Sequence, residues 1–227
     1  MLLDLIAGGS YTMTDVIIYI LSALTVIFLT MPVHEFAHAY SAYKLGDNYQ
    51  RYAGRLTLNP LAHIDYVGAL AIILVGFGWA KPVQVNANSF NNPKTGMAIT
   101  AFAGPVANLI VAFICLFLSN LFVFIAYTAQ LVLFFYVYQF FWYIAYINIS
   151  LAIFNLIPIP PLDGSKVLAA VLPDRLYYKV MQYEQYLYII LIIMIVVGVL
   201  DGPISIAVNF FLNLFDTITA WPFTLFI

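Results

Sequence analysis

Residues 16–38 read VIIYILSALTVIFLTMPVHEFAH, an uncharged apolar run (16–33) that leads without a break into HEFAH (34–38). A membrane-spanning helix needs about 20 predominantly apolar residues, and the run supplies nearly all of them. The chain holds only three histidines, and two of them, with a glutamate between, continue this same helix. With Gly46 as its stop, the helix reaches Leu45, giving about 30 residues and roughly 45 Å at 1.5 Å per residue. If Lys44 snorkels to the interface, His34 lies about 15 Å deeper. The HEFAH turn is therefore expected inside the hydrocarbon layer, where polar side chains need partners.

Composition sets the class. Hydrophobic residues make up 64% of the 227 and charged ones 8%, against roughly 25% charged in soluble domains. Further apolar runs at 66–79, 98–127, 131–157 and 186–200 leave no polar stretch long enough for a separate soluble domain, so one membrane domain over 1–227 is expected. The first residues, MLLDLIAGGSYTMTD, carry Asp4 and Asp15 and no basic residue, unlike a cleavable signal peptide. A formal net charge of -2 and the lack of a dense basic cluster give no footprint of nucleic-acid binding. Cys115, alone in its apolar run, reads as a small buried hydrophobe.

In lipid a single segment satisfies its own backbone only as a helix. The resulting expectation is an all-α polytopic protein with about five to six transmembrane helices. VGALAIILVGFG (67–78) is short for a span and is expected to be re-entrant, entering and leaving on one side. KPVQVNANSFNNP (81–93) alternates Val83, Val85 and Ala87 with polar residues and closes on Asn-Asn-Pro, which reads as a short strand or β-hairpin. With 67–78 re-entrant and 98–127 and 131–157 crossing, Lys44, Arg51, Arg55, Lys81, Lys94, Lys166, Arg175 and Lys179 all share one side. That side is the cytoplasm by the positive-inside rule. A crossing at 67–78 would split the eight basic residues three to five.

Positions i and i+4 share a helix face, so His34 and His38 can present two imidazoles to one metal ion, with Glu35 beside it. A bound zinc lowers the pKa of its water towards about 7, and an adjacent carboxylate can pass that proton to a leaving amine. Pro32 withholds one helical hydrogen bond from the Phe28 carbonyl, which would help water reach this depth. A catalytic zinc needs a third protein ligand. The metzincin pattern is excluded by Ser41 and Lys44. Among the few polar residues able to reach the same depth, Asp163 stands out. It lies in NLIPIPPLDG (155–164), where Pro158, Pro160 and Pro161 prevent a regular helix. An even number of crossings must separate Asp163 from the histidines, and the charge rule supplies two.

HEFAH together with N-x-x-P-x-x-x-L-D-G, here Asn155, Pro158, Leu162, Asp163 and Gly164, resembles the site-2 protease family of intramembrane zinc metalloproteases. GRLTLNPLAHID (54–65), GWAKPV (78–83) and AGPVAN (103–108) resemble its compact prokaryotic branch, without PDZ or CBS domains. The resemblance implies one Zn2+ held by His34, His38 and Asp163, Glu35 as general base, and a site opening to the cytoplasm. It further implies that Asn155 steadies the tetrahedral intermediate, with Asn108 a lesser candidate for a polar role. The partners implied are a transmembrane protein substrate and the lipid bilayer.

Each of these residues also has a plainer role to weigh. HExxH can be a solvated helix turn, Asp163 a turn carboxylate beside Gly164, and Asn155 a link between helices. His63, among Asn59, Pro60 and Asp65, fits loop ordering better than ligation. Gly104-Pro105 reads as a kink in the long helix after residue 98, with close helix packing as the alternative for the glycine. Two rival functions follow from the same intramembrane polar residues, a metal-ion transporter and a catalytically silent binder of membrane proteins. A carrier tolerates loss of the Glu35 base, whereas a hydrolase does not.

Overall fold

The computed structural model describes residues 12–75, 79–173, 175, 176, 179 and 182–224. Helix α1 (Met13–Lys44) runs unbroken for 32 residues. Thr12 and Asp15 start it with a reciprocal capping box, the Asp15 N–H donating to Thr12 Oγ1 at 3.3 Å and the Thr12 N–H to Asp15 Oδ2 at 2.9 Å. Pro32 has no N–H to give Phe28, and just upstream the helix widens into a π turn over Val26–Thr30, where the Met31 N–H reaches back to Val26 O. Beyond Leu45 the chain turns at Gly46, which sits at φ +116°.

A buried polar elbow follows. Asp47 is 1% exposed, and its carboxylate accepts from the Tyr49 N–H at 3.2 Å, Gln50 Nε2 at 2.8 Å and the Asn86 N–H at 3.0 Å. Gln50 Nε2 also donates to Gln84 O at 2.6 Å, beside the short helix α2 (Tyr49–Tyr52). The stretch 82–89 is thereby tied to the foot of α1. Its alternation is real, since Val83 is buried and Val85 and Ala87 are half-buried, while Pro82, Gln84, Asn86 and Asn88 are exposed. Yet the expected β-hairpin does not form. No strand occurs among the described residues, and side chains of the elbow take the hydrogen bonds a partner strand would have made. The Asn-Asn-Pro signal belongs instead to a helix start, where Asn92 accepts from the Thr95 N–H at 3.2 Å and Pro93 takes the first helical position.

Helix α3 (Tyr66–Val75) has 10 residues, about 15 Å, far short of a span. The chain leaves and returns at one place, for the Lys81 N–H donates to His63 O at 2.7 Å. Residues 76–78, the end of the expected re-entrant stretch, lie outside the described residues. Helices α4 (Pro93–Ala129) and α5 (Val132–Asn155) form an antiparallel hairpin that packs against α1. Then come α6 (Asp163–Val171), α7 (Glu184–Val197) and α8 (Asp201–Thr224).

Among the described residues, four helices are long and apolar enough to cross a bilayer, namely α1, α4, α5 and α8 from Asp201 to Phe223. This is fewer than the five to six expected, because α3 and the 14-residue α7 fall below a bilayer's thickness. Helix α8 is one of the four although Asn209, Asn213 and Asp216 interrupt its apolar pattern. Between them lies a core that includes Tyr19, Ile27, Ile72, Leu116, Ile147 and Val208, with Cys115 a free, buried thiol within it. Polar ties lock the helices: Tyr19 Oη donates to Ile72 O at 3.2 Å and Ser22 Oγ to Phe140 O at 3.0 Å. Replacing Asp47 by Ala leaves the Tyr49 and Asn86 N–H groups without their acceptor and takes from the buried Gln50 amide one of its two, at up to about 1–3 kcal/mol for each group left unmet. Thermal denaturation of the detergent-purified variant should therefore show a clearly lowered midpoint, with helicity at low temperature unchanged.

Candidate active site

Three helices bring the polar residues of the motifs together inside this apolar bundle. His34, Glu35 and His38 lie in the lower half of α1 and are only 7%, 6% and 7% exposed. Asp163 arrives from the other side. Helix α5 ends at Asn155, the proline-rich stretch 156–162 turns the chain, and Asp163 opens α6. Gly164 makes that turn possible, since a Cβ there would strike the carbonyl oxygens of Leu156 and Ile157. Asp163 does not cap its helix. Its side chain turns back to the histidines, with Oδ2 at 3.1 Å from His38 Nε2 and 3.6 Å from His34 Nε2.

The two imidazole Nε2 atoms are 3.0 Å apart, their rings crossing at 84°. Thus the three donor atoms are separated by 3.0, 3.1 and 3.6 Å. Ligands held about 2.1 Å from a tetrahedral zinc stand roughly 3.4 Å apart, so one ion fits among them. The tautomer agrees. His38 Nδ1 is 2.7 Å from the Thr100 carbonyl, which can only accept, so Nδ1 carries the proton and Nε2 turns its lone pair inward. If His34 Nε2 presents its lone pair as well, the two nitrogens and the carboxylate oxygen would repel one another unless a cation lay between them. Glu35 completes a compact group with the histidines, their ligating atoms within 4.8 Å of one another, and its Oε2 is buried without a hydrogen-bond partner. A carboxylate oxygen in that state is available to a water.

Two contacts around this group escape a reading of motifs. Lys166, one turn into α6, places Nζ 3.4 Å from Asp163 Oδ1, occupying the oxygen that does not face the histidines. The i, i+3 spacing of Asp163 and Lys166 was the available signal. The Thr100 carbonyl of α4, by contrast, is a backbone group that any residue would supply, so no residue type advertises it. Asn155 lies at the last position of α5, and its Nδ2 donates to Leu151 O at 3.0 Å along its own helix. Asn108 is 3% exposed, one turn beyond Gly104. His63 stands apart from the group, with Nε2 bonded to Thr57 O at 2.9 Å and its own carbonyl holding Lys81, which is the loop-ordering role.

The model of peptidase family M50 matches residues 22–200 of this chain, a span that includes every residue of the site. The chain is 40% identical over 184 residues to the "Putative zinc metalloprotease YwhC" of Bacillus subtilis (strain 168), covering 78% of this chain and 83% of that protein. It is 26% identical over 182 residues to the "Putative zinc metalloprotease Rip2" of Mycolicibacterium smegmatis, covering 76% of this chain and 66% of the relative. The Rip2 of Mycobacterium tuberculosis H37Rv gives 25% over 183 residues. No solved structure matches the chain significantly. With a family model covering most of its length and paired histidines, glutamate and aspartate meeting in one buried cluster, this chain belongs to the M50 family of site-2 zinc metalloproteases.

Proposed function

We propose that the chain is an intramembrane endopeptidase that hydrolyses peptide bonds in or near transmembrane segments of other membrane proteins, using one zinc ion held by His34, His38 and Asp163. The observation that carries this reading is the triad of donor atoms at tetrahedral spacing, with the unpartnered Glu35 Oε2 beside it, buried between helices long enough to span a bilayer. Zinc at this point supplies a Lewis acid for the water and the scissile carbonyl. Glu35 Oε2 takes the proton of the attacking water and returns it to the departing amide nitrogen. Asn155 offers Nδ2 to the oxyanion once that group leaves Leu151 O, a donor of particular worth where water is scarce. The Thr100 carbonyl keeps His38 in register and Lys166 steadies Asp163.

Membrane placement follows the same reading. Lys44 ends α1 and Lys94 begins α4, so the elbow and the stretch 82–92 are assigned to the side with the basic residues, the cytoplasm, and α3, whose Ile72 carbonyl accepts from Tyr19 Oη towards the other end of α1, dips from that side into the bundle. A helical substrate hides its scissile amide and must unwind before cleavage. The stretch 82–86, extended and tied on one side to Asp47 and Gln50, offers its other edge to the unwound segment by strand addition. Aspartate at Gln84 or Val85 should then slow cleavage of a transmembrane substrate while leaving bound zinc unchanged. Equal cleavage rates would remove this stretch from substrate binding.

The experiment that tests the central reading needs no substrate. Metal analysis of detergent-purified protein should give close to one zinc per chain for the wild type, and strong loss for Asp163→Asn and for the His34→Ala, His38→Ala double variant. A folded wild type that takes up no zinc would overturn it. Glu35→Gln should keep its zinc yet lose about 100- to 10,000-fold in cleavage rate, the usual contribution of a general base. Zinc transport into vesicles that survives Glu35→Gln would favour a carrier instead.

A further inference from the structure

Gly104 lies on α4 one turn beyond Thr100, on the side that faces α1. A methyl group in place of its hydrogen would stand 2.6 Å from His38 Cε1 and 2.7 Å from His34 Cε1, and closer still to His38 Nε2. All three atoms belong to rigid, buried rings, and both rings are committed. His38 is fixed by Thr100 O through Nδ1, and both Nε2 atoms are spoken for by the Asp163 Oδ2 position. No flexible chain end is there to give way. The backbone of α4 therefore forms one wall of the cradle, and it can approach the imidazoles only where a residue has no Cβ. Pro105 follows directly and has no N–H for the Ala101 carbonyl, so α4 lacks one backbone hydrogen bond at this turn.

We propose that Gly104 is a positioning residue of the metal centre, whose missing side chain sets the orientation of the His34 and His38 rings and hence the spacing of the ligand atoms. The proposal rests on the assignment of these histidines as ligands. It differs from a packing role in sign, because Gly to Ala inside a helix ordinarily raises stability. Under a positioning role the substitution weakens the metal site whatever it does to the helix.

The test is Gly104→Ala in the full-length chain, measured for zinc affinity by competition with a chromophoric chelator and for the visible absorption of the Co2+-loaded protein. The expected result is a roughly 10- to 100-fold loss of zinc affinity, the size seen when groups that orient ligands are disturbed. It should come with a shifted and weakened Co2+ band and an apo-protein melting midpoint no lower than wild type. Gly202→Ala, where a Cβ meets nothing within 4 Å, should change none of these. Unaltered zinc affinity and Co2+ spectrum in a folded Gly104→Ala would overturn the proposal. If Gly104→Ala alone fails to fold, the same substitution in a His34→Ala, His38→Ala background decides. Recovered folding places the conflict on the rings, as proposed, and continued failure places it elsewhere and overturns the proposal. Wild type that binds no zinc in the same assay would instead defeat the ligand assignment, an outcome distinct from both.

Discussion

The convergence of His34 Nε2, His38 Nε2 and Asp163 Oδ2, within 3.0 to 3.6 Å of one another in an apolar bundle, shapes what surrounds them. In water such groups would separate and hydrate. Here they are buried, and separation would expose apolar helix faces or leave each polar atom without a partner, at a cost of several kcal/mol. In the proposed reading, a divalent cation would be the partner shared by all three. The bundle must nevertheless hold the three groups close before the ion arrives, and that demand accounts for the contacts around them.

Two of the three groups proposed as ligands, His38 and Asp163, are restrained by something outside the set. The Thr100 carbonyl selects the tautomer of His38, and Lys166 takes one oxygen of Asp163 so that the other faces inward. The prolines after Asn155 end α5 where the chain must turn, and the close contact at Gly164 folds α6 back on that end. On the opposite side, Asp47 and Gln50 bind 82–89 to the foot of α1. Around the histidines and Asp163, restraint thus comes from a backbone carbonyl and an ammonium group that already carries its protons.

The helical class and the membrane setting are legible in the sequence because hydrocarbon permits an open chain little else. HEFAH is legible for a similar reason, since two imidazoles and a carboxylate are too costly to bury at that depth unless they bind something. The pairing of Asp163 with the histidines can be anticipated from crossings and charge, without any contact being known. Other features depend on tertiary partners. Alternation at 83–87 looks like a strand because one face is indeed packed, yet what packs it is the Asp47 elbow, remote in sequence. The Asn-Asn-Pro signal serves turns and helix starts equally, and only the following 37-residue helix decides between them. Span number is harder to read because apolar composition does not distinguish a crossing helix from a short one such as α3, buried at Ile72 against Tyr19. Gly104 reads in sequence as a kink or a packing site, and neither reading can name the rings it touches.

The π turn at Val26–Thr30 bears on how α1 is phased. Along this helix most of the buried residues fall in pairs, Ile18 and Tyr19, Ser22 and Ala23, Val26 and Ile27, Thr30 and Met31, His34 and Glu35, His38 and Ala39, with Pro32 and Ala42 buried beside them. Their repeat is four residues, whereas an α-helix turns in 3.6, so in a regular helix the inward face would precess by about 40° with each pair. Over the length of α1 that drift would carry the histidines well away from the direction in which Tyr19 and Ala23 point. One wider turn winds part of the drift back, midway between the two groups. The upper half of α1 can thus be cut to fit the hydrophobic interior and the lower half to aim His34 and His38 at Asp163, each in its own angular frame, with five residues serving as the coupling between them.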